Sequence, residues 1–397
     1  MSDQAGRVPG DQAGRVPEER SGGGVSRPGG LDTGSAGISV RIVGTGLIGT
    51  SIGLALSHQG FQVLLSDPSP TAQALAADLG AGRIDDDVAA DAVFVAAPPD
   101  VAASVVADQL QRWPSAVVAD VASVKQQVAE AVRALVSPAE LRRYVGSHPM
   151  AGRERSGAVA AQADLFEGRT WVVCPLEESD PDAVRLIQQL AHATGAAVET
   201  MPAGEHDAAV AVVSHIPQLA ASVVAAQLRE LPDTAIALSG GGIRDVTRIA
   251  ASDPMLWTQI LAGNAAAVAP VLDRVVAQLG AVAQSLGKLA ADSSAAEGSR
   301  GEVARLISDG QLGHARIPGK HGAAPATYAT VIVPIPDEPG AFARLFNDVG
   351  DAGINLEDLR MEHGVGAMVG LVELSVLPGV VDRLRDVLED KGWSVHE

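Results

Sequence analysis

His148 lies in "GSHPMAGRERSG", residues 146–157, where a proline step and flanking glycines hold an imidazole just ahead of Arg153, Glu154 and Arg155. Imidazole is the side chain whose ordinary pKa lets it take or give a proton near neutrality. The stretch therefore reads either as an acid–base site or as a solvated surface loop. Earlier, "AVVADVASVK" ends in Ser123 and Lys125, a hydroxyl and an amine two residues apart. Later, His215 precedes Pro217 in "VVSHIPQLAA", and Arg248 closes "GGIRDVTR". A proline removes an amide donor and tends to kink a helix, and a guanidinium can grip a carboxylate through two hydrogen bonds. The plain alternatives are a satisfied core histidine and a solvated helix face.

A second group of residues points to a dinucleotide. "ISVRIVG" runs into "GTGLIGTSIGLAL", which sets Gly44, Gly46 and Gly49 in G-x-G-x-x-G spacing with Gly53 one helical turn later. Gly44 permits the tight turn, Gly46 lets the backbone approach a pyrophosphate, and Gly49 allows the helix to pack closely on the strand. The helix that begins with Leu47 and Ile48 turns its amino end to the phosphates. Asp67, at the end of the next strand, is placed to accept from ribose hydroxyls and to repel a 2′-phosphate, which favours NAD over NADP. Pro98 and Pro99 close "VFVAA" on the same edge.

Two chemistries compete for Ser123, Lys125 and His148. A Ser-Lys hydrolase needs an oxyanion hole and gains nothing from a dinucleotide site. A dehydrogenase uses every piece, with hydroxyl and imidazole converging on a nicotinamide ring. The nine histidines include no H-E-x-x-H or Cys/His cluster, so no metal is expected.

These residues need elements to position them. The runs "ISVRIVG", "FQVLLSD", "DAVFVAAPP", "AVVADVAS", "RYVGSHPM", "TWVVCP" and "AAVETM" alternate with helix-length stretches, the pattern of a doubly wound α/β sheet buried on both faces. That domain is expected over residues 38–202. Residues 203–312 read as helices with long Ala/Val/Leu faces that call for a partner, most simply a second subunit. A linker follows at 313–326, and 327–397 spells β-α-β-β-α-β, a small ferredoxin-like α+β module. Residues 1–37 are polar and Gly-rich, repeat "DQAGRVP" and are expected to be disordered.

The 397 residues carry a net charge of −19, which argues against nucleic acid or an anionic membrane surface as partner and requires a local basic pocket for an anionic metabolite. The single cysteine, Cys174, sits in an apolar run and is expected to be buried and inert, which fits a reducing cytoplasm. No uninterrupted apolar stretch is read as spanning a bilayer.

"GTGLIGTSIGLAL", "DVASVK", "GSHPMAGRERSG", "EHD" with "VVSHIPQLAA", and "GGIRDVTRIAASDPMLW" together resemble the prephenate and arogenate dehydrogenases of tyrosine biosynthesis, over residues 38–300. "PDEPGAFARLFNDVGDAGINLEDLR" looks like an ACT domain, an amino-acid-sensing module. The resemblance implies an NAD-dependent oxidation of a ring alcohol followed by loss of CO2. It implies His148 as hydrogen-bond acceptor or base, Ser123 orienting it beside the nicotinamide, and His215 and Arg248 holding the substrate's anions. Arg153 lies next to the substrate side chain, where a cation suits the pyruvyl carboxylate of prephenate better than the ammonium of arogenate. Glu154 gates or orders the site, Trp257 supports the fold, and Asp207 fixes a neighbouring helix end. Where the family often has a second histidine, this chain has Gln218, so a two-histidine cluster is not assumed. In the C-terminal module, Gly340 at a strand-to-helix turn and Asn355 at the start of the next strand become the candidate edge for an aromatic amino-acid effector, across a dimer. Arogenate dehydrogenase remains the alternative, and a non-catalytic amino-acid sensor the alternative of another class.

Overall fold

A computed structural model describes residues 37–85, 87–152, 157–291, 298–318, 328–363 and 369–396. The amino-terminal tail expected to be disordered lies outside the described residues except for Gly37. The first domain is built on β1 (Ser39–Val43), β2 (Gln62–Ser66), β3 (Arg83–Ile84), β4 (Ala92–Val95), β5 (Val117–Asp120), β6 (Tyr144–Pro149), β7 (Thr170–Cys174) and β8 (Ala197–Thr200). They form one sheet in the order β3-β2-β1-β4-β5-β6-β7-β8. Pairing is parallel from β3 through β6, β7 is antiparallel to β6, and β8 is parallel to β7. β3, only two residues long, has no apolar run to announce it.

The apolar runs form strands because both faces are covered. On one face Ile42, Leu65 and Phe94 pack with Ile52 and Leu56 of the helix Leu47–His58 and Ile187 of Pro181–Ala193. On the other, Val93, Val95 and Val118 pack with Val106 and Leu110 of Pro99–Arg112 and Val128 and Val132 of Gln126–Leu135. Full burial of each such side chain contributes about 1.5–3 kcal/mol. Because β1, β2, β4, β5 and β6 run the same way, the glycine turn, Asp67, Pro98, Ser123 and His148 all fall at or just past their carboxyl ends, where ligands bind in sheets of this order.

From Ala203 the chain is helical. Ala203–Val210 passes through a wide π-helical turn, Ala211–His215, into Ile216–Gln227. Pro217 follows that turn, and its missing N–H is the physical reason the ladder widens there, in place of a simple kink. Pro254–Gly263 packs on the first domain through Ile260 and Trp257. The 27-residue helix Ala265–Ala291 buries only Val268 and Ser285, and Val276, Leu279 and Leu286 stay exposed. The helix Ser299–His314 reaches into the stretch read as a linker.

Ala203–Glu230 and Ala265–Ala291 are long and apolar enough to cross a bilayer by length and composition, although charged residues interrupt both. The first nevertheless carries His206, Asp207 and His215 inside a hydrogen-bonded protein interior.

The C-terminal module has β9 (Ala329–Pro336), β10 (Asp358–His363) and β11 (Val369–Val376) in the antiparallel order β10-β11-β9. The helices Ala341–Asp351 and Val381–Asp390 cover one face, packing Leu345, Val349, Leu384 and Leu388 on Val331, Val333, Val372 and Leu374. The expected fourth strand is reduced to one bridge, His396 with Ile332.

Candidate active site

The glycine turn shows why each glycine is needed. Gly44 has φ +97°, and a Cβ on it would strike the Ala96 carbonyl. A Cβ on Gly49 would overlap the Gly44 carbonyl. Gly46 differs, because a Cβ there meets no atom within 4 Å. It opens onto free space as N-cap of Leu47–His58, whose first turn has neither a side-chain cap nor an acidic residue. The end thus offers unpaired amides and a positive dipole to an anion. Asp67 is tied to this turn: one oxygen accepts from the Thr45 amide (2.6 Å) and hydroxyl (3.0 Å), the other from the Ser69 amide (2.8 Å). Pro98 is the N-cap of Pro99–Arg112. The open space, uncapped amides and fixed carboxylate fit a dinucleotide.

Beside it a buried network holds the ends of β5 and β6. Asp120 accepts from Lys125 Nζ, from the Tyr144 hydroxyl (2.7 Å) and from the Ala122 amide (3.0 Å). Lys125 Nζ also donates to the Ser147 carbonyl (2.7 Å), the residue before His148. Lys125 therefore braces two strand ends, with no part in a Ser-Lys pair. Burial, then the charge and hydrogen bond of Asp120, hold the Tyr144 phenol well above its usual value. Cys174 is buried, and desolvation pushes its thiol up to about 12, which leaves it inert.

His148 finds its partner on the helical domain. Its Nδ1 lies 2.9 Å from His206 Nε2, the two rings meeting edge to face, and His206 Nδ1 lies 2.8 Å from Asp207 Oδ1. Asp207 also accepts from the Lys125 and Gln126 amides, both at 2.9 Å, so it caps the helix Gln126–Leu135 and docks the second domain on the first. Burial would raise the Asp207 carboxyl, but the bonds from His206 and from the Gln126 and Lys125 amides outweigh it and hold it below the ordinary value. Burial, then the neighbouring His206, Lys125 and His215, push His148 well below the usual imidazole value. It is neutral at pH 7.

His215, 1% exposed at the end of the π turn, is held by Asn264: Nδ2 of Asn264 reaches its Nδ1 at 3.1 Å and the Asp207 carbonyl at 2.8 Å. Burial lowers its pKa, opposed by the Asp207 charge and helped by His206. The Trp257 ring meets it edge-on at 6.0 Å.

The structure thus brings together His148 and His215, with His206 beside them. Ser123 follows β5 with no hydrogen bond to His148, whose Nδ1 instead meets His206 Nε2. A second histidine is present after all, from "EHD" and not from the position of Gln218, which is buried and donates to Ser222. The signal was the abutting His-Asp pair. Asn264 gave none. Arg248, itself exposed, begins the turn Arg248–Ala251. Arg153 and Glu154 lie outside the described residues. Gly340, at φ +91°, is the N-cap of Ala341–Asp351, and Asn355 bonds Glu357 (3.0 Å) in the loop before β10, so it does not start that strand.

Comparison with known proteins follows the two halves of this site. Residues 52–200 match the family description "Prephenate dehydrogenase, nucleotide-binding domain", and residues 202–296 match "Prephenate dehydrogenase, dimerization domain". A probable prephenate dehydrogenase of Streptomyces niveus is 36% identical over 359 residues, covering 89% of this chain and 98% of that protein. The prephenate dehydrogenase of Bacillus subtilis is 29% identical over 356 residues, covering 85% and 91%. Among solved structures, Aquifex aeolicus prephenate dehydrogenase in complex with hydroxyphenyl propionate and NAD+ superposes with a TM-score of 0.62 at 25% identity, covering 72% of this chain and all of that one. With a nucleotide-binding first domain, a helical second domain and homology over nearly its whole length, the chain belongs to the prephenate dehydrogenase family.

Proposed function

We propose that the protein is an NAD-dependent prephenate dehydrogenase that oxidises the ring alcohol of prephenate with loss of CO2, giving 4-hydroxyphenylpyruvate. One observation carries the reading. A neutral imidazole, His148, stands on the same sheet edge as an uncapped, glycine-walled helix end fitted to a dinucleotide. The names of the Streptomyces niveus and Bacillus subtilis relatives support prephenate over arogenate, and the Aquifex aeolicus complex supports NAD+.

Bound NAD+ supplies the hydride acceptor. Gly44, Gly46, Leu47, Ile48 and Gly49 would cradle its phosphates, Asp67 its ribose, and Pro98 and Ser123 would border the nicotinamide. His148 accepts the hydroxyl proton as carbon is oxidised, His215 and Arg248 hold the carboxylates, and Arg153 and Glu154 border the substrate side chain. The exposed apolar face of Ala265–Ala291, with Leu279 58% exposed, supports a homodimer, in keeping with the dimerisation domain matched. The C-terminal module, an ACT domain on this reading, binds an aromatic amino acid near Gly340 and Asn355 and feeds back on activity. Deletion of residues 326–397 is expected to abolish inhibition by tyrosine.

The test is NADH formation with prephenate and arogenate in parallel, each with NAD+ and NADP+. Prephenate with NAD+ is expected to react best, and His148→Asn to cut kcat by about 10²- to 10⁴-fold. Inertness in all four mixtures would return the sensor reading.

A further inference from the structure

The hydrogen bonds around His148 fix the proton on each ring. Asp207, ionised and already accepting two amides, can only accept, so His206 Nδ1 must carry a hydrogen. In neutral His206 that leaves Nε2 with a lone pair. His148 Nδ1, 2.9 Å away, must then be the donor. His148 Nε2, which has no partner among the described residues, is left with a free lone pair. The chain of bonds thus runs from an anchored carboxylate through two imidazoles to one open basic nitrogen.

We propose that His148, His206 and Asp207 form a store for one proton, in which His206 receives the proton that His148 displaces and Asp207 balances the charge. This rests on the proposed oxidation of a ring alcohol followed by loss of CO2, and the proton balance of that reaction explains the need. As the ring carbon is oxidised, its hydride reduces NAD+ and the hydroxyl proton passes to His148 Nε2, leaving a ketone. His148 passes its Nδ1 proton to His206 Nε2, so the positive charge rests beside the Asp207 carboxylate. When the bond to the ring carboxylate breaks and CO2 leaves, the electron pair moves through the ring onto the ketone oxygen and makes a phenolate. That oxygen regains a proton from His148 Nε2, and His206 returns its own to His148 Nδ1. No proton is gained or lost overall, so one held between the two steps never needs solvent. His206 is 1% and Asp207 3% exposed, which suits a store closed to water. His206 and Asp207 are positioning residues acting through His148.

His206→Gln separates storage from orientation, because a glutamine oxygen can still accept from His148 Nδ1–H but cannot hold a proton. Storage predicts that kcat for prephenate falls about 10- to 100-fold, while KM and NAD+ binding stay near those of the unchanged protein. A kcat within about threefold of the unchanged protein would overturn the store while leaving the dehydrogenase reading intact. That reading fails separately, if the unchanged protein does not oxidise prephenate or if His148→Asn is fully active. Should His206→Gln not fold, nitrogen NMR of the full chain labelled on histidine decides. Hydrogen on Nδ1 of both His148 and His206 supports the store, and hydrogen on Nε2 of His148 overturns it.

Discussion

Asn264 Nδ2 lies 3.1 Å from His215 Nδ1 and 2.8 Å from the Asp207 carbonyl. An amide nitrogen donates, so Nδ1 of His215 accepts and its hydrogen sits on Nε2, aimed away from Asn264 as a donor suited to an anion. Asn264→Asp reverses this, because a carboxylate prefers the Nδ1–H tautomer. Losing one such hydrogen bond is worth about 1 kcal/mol, or roughly a fivefold rise in KM for prephenate with kcat little changed. Steady-state kinetics check it, and an unchanged KM would remove Asn264 from substrate binding.

Gly46 and Gly49 are three residues apart but should fail in different ways. A Cβ at Gly46 meets nothing in the protein and enters the space offered to the dinucleotide. Gly46→Ala is therefore expected to raise KM for NAD+ by about tenfold or more while Tm holds, on the scale of one lost charge-assisted hydrogen bond. A Cβ at Gly49 overlaps the Gly44 carbonyl, so Gly49→Ala separates helix from strand. Overpacking of that kind costs about 1–3 kcal/mol, a fall in Tm of roughly 5–10 °C for a domain this size. Thermal melts with and without NAD+ distinguish the two.

The cofactor half was legible because backbone geometry dictates its residue types. A turn at φ +97° and a close helix–strand approach leave little choice but glycine at Gly44 and Gly49, whatever the tertiary context. The seven strands long enough to show an apolar run were legible because the sheet is covered on both faces. The proton-handling half was only partly so. His148 stands out by its proline and glycines, but its partner His206 is 58 residues away and looks like any helical histidine until the two domains dock. Asn264 is more distant still and owes its place to a helix junction without a motif. In the C-terminal module "WSVHE" has strand-like residues but makes only one bridge among the described residues.

The Lys125–Asp120 pair, 1% and 0% exposed, illustrates a stability cost that sequence spacing hides. Removing one partner leaves a buried charge uncompensated, which typically costs about 3–5 kcal/mol. Lys125→Met is expected to lower Tm by roughly 10 °C, and to loosen the Ser147 carbonyl that Lys125 also holds. Adding Asp120→Asn neutralises the stranded carboxylate and should recover part of the loss. A single variant that melts normally would mean the pair is not desolvated in solution.

The pH dependence follows from His148. Catalysis needs its neutral form, and burial, followed by the facing His206, Lys125 and His215, disfavours the imidazolium. Its pKa in the folded protein therefore lies below the free value of about 6.5. kcat/KM, which reports the free enzyme, is expected to stay level as pH falls through that value and to decline only further into acid. An acid limb centred at or above it would contradict the burial of the ring. Stability has the same sign. Between the folded and unfolded pKa values the unfolded chain binds more protons, so the contribution of neutral His148 is full above the unfolded value and is lost as pH falls through the folded one. His215, also lowered by burial, adds to this window, and Asp207 adds a second at more acid pH. Tm should thus begin to drop on the acid side of the free imidazole value, and His148→Asn should make that first decline shallower while leaving the Asp207 window in place.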